Sequence, residues 1–158
     1  SINYPHNPDG MIMSHDDLFS LVDLCRNKGL ILFSDEVFRG VELDDSDRLP
    51  QVADIYEKGI SLGVMSKAYG LPGLRVGWLA AQDRVVLDEI GKYKHYLSIA
   101  NSVPSERLAL IALKARETIF KNNQKYLRRN VEKLELFLLS YPNLFQWRRP
   151  RGGCIAYP

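Results

Sequence analysis

The sequence has little of what most often announces a function. It holds two cysteines, Cys25 and Cys154, far apart in a chain of 158 residues. That excludes a disulfide framework and fits reduced thiols packed in a core. Three histidines, His6, His15 and His95, stand alone, without the spacing of a metal site. Charge of one sign is not in excess: 21 Lys and Arg face 19 Asp and Glu, a net charge of +2. So small a balance gives no basis for binding nucleic acid or an anionic membrane. No apolar run approaches the roughly 18 residues of a membrane span. No signal peptide is visible in the polar, turn-like opening "SINYPHNPDG", and we expect a cytoplasmic protein. No GxxxxGK[ST] loop accompanies the acidic pair after "LILFS", so that pair is not a Walker B strand end. "GLPGLR" lacks the third glycine of a dinucleotide fingerprint. Repeats and low-complexity tracts are also missing.

What is present is ordinary for a globular domain, 46% hydrophobic and 25% charged, and long enough to bury a core. "NYPHNPDG" is a turn cluster. Ser14 is placed to cap a helix, with Asp16 and Asp17 in its first turn. Leu18, Phe19, Leu21, Val22 and Cys25 recur at spacings of three and four on one apolar face, and Gly29 ends the helix. "LILF", Leu30 to Phe33, is a continuous apolar run and predicts a strand buried on both faces. A polar looping segment, "ELDDSDRLPQ", follows. "ISLGVMS" predicts a second strand, "KAYGLPG" a turn, and "RVGWLAA" a third strand. A helix is expected from Asp83 to Tyr96, and another starting at Pro104 after Ser102 or Ser105. The helical pattern then runs to about Leu139, with a break expected near Lys121-Asn122-Asn123. "FQWRRPRGGCIAYP" predicts a strand, a turn and the start of a strand.

Strands alternating with helices argue for an α/β unit, whose sites form outside the carboxyl ends of the strands. Asn7, Asp35 and Lys67 all fall at strand ends or the turns that follow them. A carboxylate at the end of an apolar strand is costly unless a cation offsets it. Lys67 lies among Met, Ser, Ala and Gly, a setting that favours the neutral, nucleophilic amine able to form a Schiff base with a carbonyl compound. Arg75 offers a fixed fork for phosphate. Gly70 and Gly73 let the backbone approach a ligand. These parts describe a site for a carbonyl-bearing phosphate compound with a ring nitrogen, and pyridoxal 5'-phosphate (PLP) fits. Glu36 reads as structural, and Cys25 and Cys154 as packing. Tyr69 reads equally as a packing residue and as one facing the cofactor.

"NYPHNPDG", "SDEVFRG" and "SKAYGLPGLRVG", in that order, resemble the class I/II aminotransferases, which are fold-type I PLP-dependent enzymes. The resemblance covers nearly the whole chain. It implies an α/β fold, part of a large PLP-binding domain with a mainly parallel sheet and flanking helices, followed by the start of a small α+β domain. Residues 1–100 would complete the large domain, 101–140 form a helical connector and 141–158 begin the small domain. It further implies that Lys67 forms the Schiff base, Asp35 pairs with the pyridinium nitrogen, Asn7 bonds the ring's phenolic oxygen, and Arg75 holds the phosphate. The Asn7–Pro8 bond would be cis.

Two positions depart from the family pattern. Phe38 stands where many members carry a tyrosine that also bonds the phenolic oxygen. That leaves the bond to Asn7, and the pKa of the lysine–cofactor link is expected to rise. Val64 stands where a phosphate-binding serine or threonine is common, with Ser66 a substitute only if the turn differs. The implied activity moves an amino group between an amino acid and a 2-oxo acid in a full-length homodimer. The alternatives are a PLP-dependent lyase, decarboxylase or cyclase on the same scaffold, or an inactive fragment of such an enzyme. No metal, nucleic acid or membrane is implied. The resemblance also implies that segments upstream and downstream of these residues complete the site.

Overall fold

The computed structural model describes residues 1–158. Its centre is a four-stranded sheet in the order β1 (Ile2–Asn3), β2 (Leu32–Asp35), β3 (Gly59–Val64) and β4 (Gly77–Ala81). The first three strands run parallel, while β4 returns antiparallel to β3 with Leu62 opposite Leu79. The sheet is therefore mixed rather than all parallel, in keeping with the mainly parallel α/β architecture read from the sequence.

Helix α1 (His15–Lys28) connects β1 to β2. Ser14 Oγ accepts from the Asp17 N–H at 3.0 Å, as its place before the acidic first turn predicts. Gly29 stops the helix at φ 67°, a conformation open chiefly to glycine, and donates to the Arg26 carbonyl. The next residue, Leu30, donates to the Cys25 carbonyl at 2.9 Å, so it belongs to the helix cap rather than to a strand. That corrects the strand expected at Leu30 to Phe33. Leu30 and Ile31 are exposed, and β2 begins where Leu32 comes opposite Gly59. The strand alternates rather than being buried on both faces: Leu32, Ser34 and the following Glu36 are buried, while Phe33 and Asp35 are half-buried.

The short helix α2 (Val52–Ile55) packs on the buried face of the sheet with α1. Leu18, Val22, Cys25, Leu32, Val52 and Tyr56 form this core, each large apolar side chain contributing roughly 1.5–3 kcal/mol by burial. Phe19, expected on the apolar face, points to solvent instead.

Helix α3 (Arg84–Ser98) extends the expected helix by two residues and buries none of its side chains. Helices α4 (Val103–Lys114) and α5 (Arg116–Leu139) follow. The break lies at Ala115, not near residues 121–123. Ala115 has φ −95° and ψ 10°, and its N–H is shared between the Ile111 and Ala112 carbonyls, while α5 runs unbroken through Lys121-Asn122-Asn123. Met65, Ala109 and Ala112 pack α4 on the turn after β3, and Phe120 of α5 packs on Phe38, Val41 and Ala68.

The strands expected in "FQWRRPRGGCIAYP" do not form; one isolated bridge joins Gly152 to Glu42. The N–H groups of Arg151 and Gly152 both bond the Gly10 carbonyl, and that of Gly153 bonds Val41, which leaves no ladder to extend. Cys154 is exposed rather than packed.

Candidate active site

Three loops at the carboxyl ends of β1, β2 and β3 carry the residues singled out by sequence. The first, residues 4–13, holds Asn7 and is a self-braced unit. His6 N–H donates to the Met11 carbonyl at 2.8 Å and Gly10 N–H to the His6 carbonyl at 2.9 Å. Asp9 Oδ1 accepts from the Met11 N–H at 3.0 Å and faces His6 Nδ1 at 2.8 Å. Those two contacts, the backbone one first, hold the Asp9 carboxyl below the ordinary range. The Asn7–Pro8 bond is cis, as expected, and so is Tyr4–Pro5. Asn7 itself is exposed.

Asp35 closes β2 opposite Asn3 of β1. Its Oδ1 accepts from the Val37 N–H at 3.2 Å, and no cation of the chain pairs with the carboxylate. The cationic partner expected from the cost of burial is thus not supplied by a side chain here. The half-buried Asp35 instead lines an open cavity of about 520 Å³ with Asn3, Tyr4, His6 and Phe33.

Glu36 points the other way, as strand alternation requires. Its Oε1 accepts from Ser61 Oγ at 2.7 Å and from the Val52 N–H at 3.0 Å. Ser61 Oγ in turn accepts from the Ala53 N–H at 3.0 Å. Burial pushes the Glu36 carboxyl above the ordinary range, against the pull of the Val52 and Ser61 hydrogen bonds. Glu36 therefore fastens β2 to β3 and α2, in the structural role read from the sequence.

Lys67 lies in the turn after β3, between half-buried Ser66 and buried Ala68. The turn is closed by Leu71 N–H to the Met65 carbonyl and Met65 N–H to the Val76 carbonyl, each 2.9 Å, with Gly70 at φ 68°. Ala68 N–H bonds the Val37 carbonyl at 3.3 Å, which ties the lysine turn to the Asp35 loop. The Lys67 side chain is exposed in this chain, not enclosed as its small neighbours suggested. Its Nζ stands 5.8 Å from the centroid of the buried Phe38 ring, within reach of a cation–π contact.

Arg75 follows a 3₁₀ turn, Pro72–Leu74, and sits at φ 53°, ψ 40°. A non-glycine residue there stores local strain, on the order of 1 kcal/mol, and such strain gathers at ligand sites. Its guanidinium is exposed and donates one hydrogen bond, 3.2 Å to the Pro72 carbonyl. Val64, half-buried at the end of β3, faces a separate cavity of about 600 Å³ with Tyr69, Trp78 and Phe120. Tyr69 takes the packing option, its ring 4.9 Å from Phe120 and 6.2 Å from Trp78, and burial raises its phenol.

The structure therefore links Asn7, Asp35 and Ala68, the residue after Lys67, through a chain of hydrogen bonds. Asn3 within it and Asn123 beside it were not singled out as site residues by sequence. Asn3 Nδ2 donates to the Asp35 carbonyl at 3.0 Å while its Oδ1 accepts from the Asn7 N–H at 3.1 Å. Asn123 of α5 donates to the Ala68 carbonyl at 2.9 Å. Asn3 stands four residues before Asn7 in the same turn cluster, a weak signal; Asn123 is marked in the sequence only as part of an expected helix break.

A mixed α/β sheet with an aspartate, a lysine turn and an asparagine loop at adjacent strand ends has the architecture of the fold-type I PLP-dependent enzymes. The sequence model of the family "Aminotransferase class I and II" matches residues 1–152, and the chain belongs to that family. It is 30% identical over 157 residues to capreomycidine synthase of Streptomyces vinaceus, covering 99% of this chain and 40% of that protein. Among solved structures, a PLP-dependent aminotransferase from Streptococcus suis superposes with a TM-score of 0.87 at 32% identity, covering 96% of this chain and 39% of that one. The PLP-dependent cyclase OrfR superposes with a TM-score of 0.83 at 27% identity over the same shares. The chain thus spans about two fifths of the length of the relatives it matches. No helix is long and apolar enough to cross a membrane.

Proposed function

We propose that the protein containing this chain is a PLP-dependent aminotransferase that moves an amino group between an amino acid and a 2-oxo acid. The observation that carries this reading is the Asn7–Asn3–Asp35–Val37–Ala68 hydrogen-bonded chain. It joins a neutral donor and an uncompensated carboxylate to the residue that follows an exposed lysine, at neighbouring strand ends.

These residues fit the cofactor by their chemistry. Asp35 lacks a cation, and a protonated ring nitrogen supplies one. The Arg75 fork, spent on a single carbonyl, has donors to spare for a phosphate. Lys67 presents an exposed amino group. When bound, PLP supplies an aldehyde for the amine and a ring that takes up the electron pair left when a substrate α-carbon loses its proton. Lys67 would be the covalent anchor and, once freed by the incoming amino group, would carry that proton from the substrate's α-carbon to the carbon that bore the aldehyde. Asp35 holds a proton at the ring nitrogen. Asn7 would donate to the phenolic oxygen, and the Phe38 ring buried beneath Lys67 offers no hydroxyl there. Arg75 offsets the phosphate charge, with Ser66 the hydroxyl nearest in sequence to assist it in place of Val64.

Within the whole protein, residues 1–100 close a large cofactor domain, 101–140 act as a helical connector and 141–158 lead into a smaller domain. The working unit is a cytoplasmic homodimer. The test is borohydride reduction of the protein incubated with PLP, followed by peptide mapping. Label on Lys67, and none in Lys67→Ala protein, is expected; label elsewhere rejects the assignment.

A cyclase reading has specific support in the likeness to the PLP-dependent cyclase OrfR. Product analysis separates the two. A transaminase consumes amino acid only when a 2-oxo acid is present, whereas a cyclase turns over without one; a lyase would release ammonia.

A further inference from the structure

We propose that Asn3 is a positioning residue, whose side-chain amide fixes the distance and angle between Asn7 and Asp35. The inference rests on the PLP reading above.

The geometry is specific to an amide. Asn3 Nδ2 donates to the Asp35 carbonyl at 3.0 Å, and Oδ1 accepts from the Asn7 N–H at 3.1 Å. One planar group thus carries a donor and an acceptor in fixed relation, which a hydroxyl, a carboxylate or an ammonium does not. Strand β1 is only two residues long, and its ladder is already weakening here, since Tyr4 N–H reaches the Asp35 carbonyl at 3.4 Å. Beyond that point the backbone no longer registers the Asn7 loop on β2. The loop braces itself through His6, Asp9, Gly10 and Met11, so it moves as a unit and its orientation depends on its outside attachments. On the far side, the Gly10 carbonyl takes the Arg151 and Gly152 N–H groups. On the β2 side the Asn3 amide supplies the short bond to the Asp35 carbonyl, beside the long one from Tyr4 N–H.

Asn7 and Asp35 are assigned to the phenolic oxygen and the nitrogen of one rigid ring. Their spacing must match that ring for both contacts to form at once. Loosening the Asn3 clip therefore weakens the two contacts together and leaves the lysine chemistry intact. A purely structural role predicts only lower stability.

The experiment compares wild type with Asn3→Leu, similar in shape and without polar atoms, and with Asn3→Ala. Three quantities are read: the PLP dissociation constant, the pH at which the lysine-linked chromophore titrates, and amide exchange at Asn7. Asn3→Leu is expected to weaken PLP binding about tenfold, a typical effect of losing supporting hydrogen bonds beside a ligand group. It should also raise the chromophore titration point, while borohydride still labels Lys67. An Asn3→Leu protein with a lower thermal midpoint but unchanged affinity and titration overturns the proposal. If neither variant folds, wild type alone decides: the Asn7 amide must exchange slowly in the PLP-free protein, and exchange at the unprotected rate overturns the clip. Absence of Lys67 labelling in wild type would instead reject the PLP reading, and Asn7 exchange would still report on the clip.

Discussion

Asn123 of α5 donates a 2.9 Å hydrogen bond to the carbonyl of Ala68, the residue that follows Lys67. The same residue's N–H bonds the Val37 carbonyl, so the lysine turn is gripped from a helix on one side and from the Asp35 loop on the other. Asn123→Ala removes the helical grip and leaves a carbonyl unpaired, a loss of about 1 kcal/mol. We expect borohydride fixation at Lys67 to slow several-fold while Lys67 remains the labelled residue. A fixation rate equal to wild type would show that the turn holds itself.

Phe38 lies buried beneath Lys67 Nζ. Phe38→Tyr places a hydroxyl where a second donor to the phenolic oxygen is expected. The pKa of the lysine-linked cofactor should then fall, because the added bond stabilises the deprotonated chromophore. Absorbance followed across pH measures it directly; an unchanged or higher value would refute this account of the missing hydroxyl.

Glu36 gives a pH signature. Burial raises its carboxyl above the ordinary glutamate range. Stability linked to the protonated form is full below the unfolded value, about 4.3, and is lost as pH rises through the raised folded value. Glu36→Gln keeps an oxygen to accept from Val52 and Ser61 and never ionises. Its urea midpoint relative to wild type should therefore climb between pH 4 and pH 8. A constant difference across that range would mean that Glu36 stays ionised at no cost.

Gly10 packs against the terminal segment so closely that an added Cβ would stand 2.4 Å from the Pro150 Cβ and 2.6 Å from the Gly152 carbonyl oxygen, at φ +67°. Gly10→Ala should cost roughly 1–3 kcal/mol by overpacking. Trypsin should then cut faster at Arg148 and Arg151. Cleavage at the wild-type rate would show that this segment is held by contacts other than Gly10.

The placement of the candidate site residues was more legible in the sequence than that of their supports. Asp35 after an apolar run and Lys67 in a glycine-bearing turn could be placed because strand ends, polar residues and glycine leave local signals. Leu30 and Ile31 misled because an apolar pair can close a helix as readily as open a strand; the Cys25 carbonyl decided between them. The helix break moved to Ala115 because packing of Phe120 and Asn123 overrode the weak propensity of the asparagine pair. Asn3 and Asn123 act through partners far away in sequence, and no local pattern records such a pairing.

Asp35 and Glu36 are neighbours that serve opposite faces, one carboxylate for the cavity and one for the interior. Their roles depend on counting. Deleting or inserting a single residue between Gly29 and Ser34 would exchange the two faces, sending Asp35 toward Ser61 and presenting Glu36 to the cavity. The link between α1 and this strand should therefore admit substitutions far more readily than changes of length, whereas the exposed tract from Asp44 to Ser46 can absorb an added residue without disturbing either carboxylate.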